Sequence, residues 1–145
     1  MPDTSRILIV DDNQANCELL DAYLAEVDCE IDFAYDGQEA LEKVNAFNPD
    51  LILLDVMMPK LNGFEVCEKL KSDADKRSIM ILMVTALNEL GDIERAVKAG
   101  TNDFVSKPVT KLELLKRVEN MLQLKGINDE NERLRKYIEN METPA

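Results

Sequence analysis

The chain has 145 residues, is 46% hydrophobic, and carries 17 basic against 29 acidic residues with no histidine and no tryptophan. A net charge of −12 repels phosphate backbones and anionic lipids, which argues against direct nucleic-acid binding and docking on acidic membranes. Without histidine, neither a histidine-dependent triad nor a His-ligated zinc site can be built.

The segment from Met1 to Arg6 is short and polar and lacks a run of signal-peptide length, and no apolar stretch is long enough to span a bilayer. The expected location is the cytoplasm. Cys17, Cys29 and Cys67 form an odd set without metal-type spacing and read as small buried or half-buried thiols in a reducing compartment.

Short apolar runs then alternate with segments of helical period. Arg6–Val10 is a compact run, Glu30–Tyr35 alternates, Leu51–Leu54 and Ile79–Val84 are continuous, and Asp103–Ser106 is a brief fifth. Runs that are apolar at every position suit strands covered on both faces, as in a parallel sheet. Between them, Leu19, Leu20, Tyr23, Leu24 and Val27 fall on one helical face, and Ala40, Leu41, Val44 and Phe47 on a second that Asp36-Gly37 opens and Asn48-Pro49 closes. Phe64, Val66, Cys67 and Leu70 form a third, and Ile93, Ala96, Val97 and Ala99 a fourth that stops at Gly100. Leu112, Leu115, Val118, Met121 and Leu122 form a fifth.

Five βα units predict an α/β, flavodoxin-like, doubly wound five-stranded parallel sheet of order 2-1-3-4-5 with five helices. The domain is expected over residues 1–124, followed by a C-terminal helical extension over 125–145. That tail holds 4 basic and 5 acidic residues, so nearly all the excess negative charge lies in the body. In heptads, Leu124, Asn131 and Ile138 take a positions and Ile127, Leu134 and Met141 take d, the pattern of a coiled-coil seam or of a solvated helix with a partly apolar face.

In this architecture ligands bind at the carboxyl ends of the strands. Those ends carry Asp11 and Asp12 after strand 1, Asp55 after strand 3, Thr85 after strand 4 and Lys107 after strand 5. Three carboxylates in one cleft repel one another, and a hard divalent cation resolves the repulsion. Oxygen-only ligands select Mg²⁺ over zinc. Lys107 adds a point charge for phosphate or carboxylate and Thr85 a hydroxyl donor. The set fits phosphoryl transfer to a carboxylate.

On these residues the sequence resembles the receiver domain of bacterial two-component response regulators. The resemblance spans roughly Arg6 to Leu124. It rests on Ile7–Asp12, Leu51–Pro59 with Asn62-Gly63, Val84–Ala86 and Gly100–Pro108. Asp-Val-Met-Met-Pro and the stretch Thr85–Asp92 are similar to receivers joined to a diguanylate cyclase output. The resemblance implies that Asp55 is the phosphoacceptor, served by a sensor histidine kinase or a histidine phosphotransfer protein. It implies that Asp12, Asp55 and the backbone carbonyl of Met57 hold Mg²⁺ directly and Asp11 acts through metal-bound water. Lys107 then pairs with the aspartate and with the new phosphoryl oxygens, Thr85 hydrogen-bonds to the phosphoryl group, Phe104 turns inward as Thr85 moves, and the Lys107–Pro108 bond is cis.

Such a domain is not an enzyme beyond its own phosphorylation and dephosphorylation. Its output is the face made by helix 4, strand 5 and helix 5, passed on to the tail, and either that face or the tail helix is a candidate homodimer surface. The competing reading is a pseudo-receiver, an interaction module of the same fold that is never phosphorylated. An aspartyl-phosphate hydrolase of the haloacid dehalogenase type needs a carboxylate two residues after the nucleophile, where Met57 stands. A flavodoxin-type flavin site needs donors after strand 1, where Asp11-Asp12-Asn13 repels phosphate.

Overall fold

The computed structural model describes residues 4–56, 58, 61–85, 90–124 and 130–142. Strands and helices alternate as β1 (Ser5–Val10), α1 (Gln14–Tyr23), β2 (Cys29–Ala34), α2 (Gly37–Phe47), β3 (Leu51–Leu54) and α3 (Gly63–Ser72). They continue as β4 (Met80–Thr85), α4 (Leu90–Ala99), β5 (Asp103–Ser106), α5 (Lys111–Gln123) and α6 (Glu130–Glu142). All paired strands are parallel, in the order β2-β1-β3-β4-β5. The flavodoxin-like α/β expectation and its strand order therefore hold.

The period of two along a strand divides the core into two layers. Leu8, Val10, Ile52, Leu54, Ile81 and Met83 point to one face and pack with Val44 of α2, Phe64 and Cys67 of α3 and Ala96 of α4. Ile7, Ile9, Leu51, Leu53, Leu82 and Val84 point to the other and pack with Leu20 of α1 and Leu114, Val118 and Met121 of α5. Two-sided burial explains why these strands read as continuous apolar runs. Cys17 and Cys67 are buried and Cys29 half-buried. Burial pushes the Cys17 and Cys67 thiols up to about 11, which keeps them protonated and inert, as packing residues should be.

The helix boundaries have local causes. Asn13, Asp36, Asn62 and Thr110 accept a backbone N–H at the starts of α1, α2, α3 and α5, with a reciprocal Glu65 contact at α3. Asn48 closes α2 with φ 54, and Gly100 follows α4 with φ 93, a conformation that favours glycine.

Three apolar positions depart from the expected faces. Leu112 is 81% exposed, because Leu114, Val118 and Met121, spaced i, i+4, i+7, take the inner face of α5. Val97 is exposed, since Ala96 and Ala99 supply the inner contacts of α4. Leu19 is exposed as well: α1 ends at Tyr23, and a 3₁₀ turn over Leu24–Glu26 carries Leu24 inward in place of a longer α-helix.

The tail helix lies against the body. Leu124, the first a position of the heptad pattern, is buried in the domain core, while Leu134 and Ile138 stay exposed. Ile127 lies outside the described residues, as does the side chain of Asn131. Tyr137 instead faces inward. Its hydroxyl donates to Asp103 Oδ2, the oxygen that Arg117 also donates to. Asn120, on α5, donates to the Tyr137 carbonyl at 3.3 Å and accepts from Asn140 at 2.8 Å, and Arg133 donates to the Ser78 carbonyl at 3.1 Å. Polar contacts to α5 and the starts of β4 and β5 thus hold α6 at the amino end of the sheet.

Burial, reinforced by the bond to Asp103, pushes the Tyr137 phenol upward from its ordinary value of about 10. An acid whose value is raised on folding holds its proton more tightly when folded. Its contribution is therefore full below about pH 10 and is lost as pH rises beyond that. An ultraviolet difference titration of the wild type against Tyr137→Phe isolates this group and should show an alkaline-shifted transition. Ionisation in the ordinary range would mean that α6 does not bury it.

Candidate functional site

Asp11 and Asp55 follow directly on β1 and β3, and the sheet ladder extends one bond further to hold each. The Asp11 N–H donates to the Ala34 carbonyl at 3.1 Å and the Asp55 N–H to the Val10 carbonyl at 2.9 Å. Parallel neighbours of equal register thus deliver both carboxylates to the same end of the sheet. Gly63, at the start of α3, lies so close that an added Cβ would stand 2.4 Å from the Asp55 carbonyl oxygen. That spacing explains the glycine and packs the acceptor loop against α3.

Asp11, Asp12 and Asp55 each present a carboxylate oxygen within 4.8 Å of the others, with Asp11 and Asp55 buried and Asp12 exposed. Such a three-oxygen set fits a hard divalent cation, whose charge would offset the repulsion. Lys107, next after β5, reaches in from the same carboxyl end of the sheet. Its Nζ stands 3.2 Å from Asp11 Oδ2 and 3.6 Å from Asp55 Oδ1. The lysine is thus shared between the two buried carboxylates and sits nearer to Asp11. The Lys107–Pro108 bond is cis.

The other expected residues are placed less completely. Thr85 is the last residue of β4, paired with Ser106, and its side chain lies outside the described residues. Met57 also lies outside them. Phe104, on β5, is half-buried against the layer that α2, α3 and α4 cover. Its N–H donates to Asp103 Oδ1 at 2.8 Å, so β5 joins the residue that binds α6 to this aromatic and, three residues on, to Lys107.

Two sets of residues were not singled out from the sequence. Asn16 donates to Asp11 Oδ2 at 3.2 Å. The signal was a polar residue in the first turn of a helix that begins at the carboxylates. Asp103, Arg117, Asn120, Tyr137 and Asn140 join α6 to the body. No apolar periodicity marks them: at helical spacing Asn120 stands beside Lys116, Arg117 and Gln123.

A family model described as response regulator receiver domain matches residues 7–119. The response regulator PleD of Caulobacter vibrioides is 42% identical over 127 residues, covering 88% of this chain and 28% of PleD. The response regulator MprA of Mycobacterium ulcerans is 38% identical over 125 residues, covering 86% of this chain and 53% of MprA. The chain therefore spans between about a quarter and about half of the length of these two relatives. Among solved structures, the signal receiver domain of a signal transduction histidine kinase from Syntrophus aciditrophicus superposes with a TM-score of 0.80 at 31% identity, covering 88% of this chain and 96% of that one. A two-component response regulator from Clostridium difficile does so with a TM-score of 0.77 at 29% identity, covering 87% and 100%.

Proposed function

The chain belongs to the response regulator receiver domain family, and on that premise we propose that it is a Mg²⁺-dependent phosphoacceptor switch with Asp55 as its acceptor. The observation that carries this reading is the meeting of three carboxylates and Lys107 at one end of the sheet. A carboxylate oxygen of Asp55 attacks the phosphorus of a phosphohistidine on a sensor histidine kinase or phosphotransfer protein. The new O–P bond forms as the P–N bond breaks, and the bond's electron pair returns to the imidazole, which takes up a proton.

Asp12, Asp55 and the Met57 carbonyl are the residues to hold Mg²⁺ directly, with Asp11 acting through bound water. When bound, the cation neutralises charge on the phosphoryl oxygens. Lys107 supplies the second positive charge. It moves from the Asp11–Asp55 pair to a phosphoryl oxygen, a contact made only in the modified state, and this differential contact drives the switch. Thr85 hydrogen-bonds to the phosphoryl group and Phe104 follows it inward. The face of α4, β5 and α5 changes, and with it the tail helix, to control a partner or an output. That face and α6 are the proposed surfaces for a homodimer. The acidic surface argues against direct nucleic-acid contact, and no helix among the described residues is long and apolar enough to cross a membrane.

Intact-mass measurement after acetyl phosphate with Mg²⁺ should show one added phosphoryl group, and beryllofluoride should bind in its place. A chain that accepts neither is a pseudo-receiver acting as an interaction module.

A further inference from the structure

Asp11 is 2% exposed, and a carboxylate so buried needs hydrogen-bond donors on both oxygens. Oδ1 accepts from the Asn13 backbone N–H at 2.9 Å. Oδ2 accepts from two side chains, Asn16 Nδ2 at 3.2 Å and Lys107 Nζ at 3.2 Å. These two donors differ in kind. Lys107 is charged, sits on a long flexible stem and is already within 3.6 Å of Asp55. Asn16 is neutral and short, and its own backbone N–H is tied to Asn13 Oδ1 at 3.1 Å. The amide can therefore hold Oδ2 without adding charge to the cleft and without leaving it.

We propose that Asn16 is a positioning residue of the phosphoacceptor site: it fixes the Asp11 carboxylate and stays on Oδ2 when Lys107 leaves Asp11 for the phosphoryl oxygen on Asp55. The lysine then departs without leaving a buried carboxylate oxygen bare. Asp11 keeps the orientation in which it faces the cation and its water. This inference rests on the receiver reading above. A purely structural role at the helix start is separable from it, because the bond to the Asn13 cap comes from the backbone of residue 16 and survives any side-chain change there except proline.

The test is calorimetric titration of the full chain with Mg²⁺, for wild type, Asn16→Ala and Asn16→Leu. Removing the partner of a carboxylate that meets the cation through water should weaken Mg²⁺ by a few-fold, up to about ten-fold. The rate of labelling by acetyl phosphate should fall as well. In that reaction the Asp55 O–P bond forms as the P–O bond to acetate breaks and acetate leaves with the electron pair. Asn16→Gln retains the amide and should recover part of both effects, and it serves as the informative variant if the shorter side chains fail to fold. Variants that bind Mg²⁺ as tightly as wild type overturn the inference, even if their unfolding midpoints fall. A wild type that binds no Mg²⁺ overturns the receiver chemistry itself, and this inference with it.

Discussion

Asp55→Asn should abolish phosphoryl labelling and, in the absence of divalent cations, raise the unfolding midpoint. The first effect follows from chemistry: an amide has no anionic oxygen to attack phosphorus. The second follows from charge. Three carboxylate oxygens lie within 4.8 Å of one another. Each like-charge pair at that spacing costs about 3 kcal/mol at an effective dielectric of about 20. Replacing Asp55 removes its repulsion from both Asp11 and Asp12. Against that stands, among the described contacts, the loss of the attraction to Lys107 at 3.6 Å, while Lys107 keeps its closer contact to Asp11 at 3.2 Å. The net gain is on the order of 1–2 kcal/mol. Saturating Mg²⁺ should reverse the ranking, because it stabilises only chains that bind it. Thermal unfolding of both proteins with Mg²⁺ and with chelator checks this. An Asp55→Asn protein that is less stable than wild type in chelator would mean that the carboxylates do not strain the fold.

Asp103→Ala should be strongly destabilising, although the residue lies outside the acceptor site. Asp103 is the common acceptor for Arg117 and Tyr137, and the Asp103 and Arg117 side chains are only 18% and 23% exposed. Removing it leaves the Tyr137 phenol without its acceptor and Arg117 with Glu113 at 3.4 Å in a largely desolvated place, a loss of about 2–4 kcal/mol. Tyr137→Phe keeps the ion pair and loses one hydrogen bond, about 1 kcal/mol. Denaturant unfolding measures both, and limited proteolysis reports whether α6 has detached. A cost for Asp103→Ala no larger than about 0.5 kcal/mol, the size of an ordinary surface change, would remove α6 from the folded unit.

β1, β3 and β4 were legible in the sequence because two-sided burial leaves a continuous apolar run, while β2 was legible by alternation and β5 only as a brief segment. The strand order followed from the βα alternation. The carboxylates and Lys107 were legible because strand ends are where such a sheet puts ligands. Helix phase was less legible. Leu112 and Leu114 are equally apolar, and the choice between them was made by packing: Leu114 shares the inner face with Val118 and Met121 at helical spacing, and Leu112 does not. The docking of α6 was illegible for a different reason. Its contacts run through Tyr137, Asn120, Asn140 and Arg133. Periodicity records apolar faces and is silent on polar pairs separated by many residues. Asn16 was missed on the same ground, since its role depends on which oxygen of Asp11 it meets.

The sheet's two outermost strands bear on how this protein behaves at high concentration. An unpaired strand edge invites pairing with another molecule, and growth of that kind leads to fibres. At one margin β2 carries Glu30 and Asp32, so two such margins brought together would set carboxylate rows against each other. Both acids are held in place, Glu30 by Arg6 and Asp32 by Lys43. At the other margin β5 is only four residues long, and its first residue is already engaged by α5 and α6. Neither border offers a long, neutral template, so association between copies of this chain is steered away from sheet extension and towards its helices.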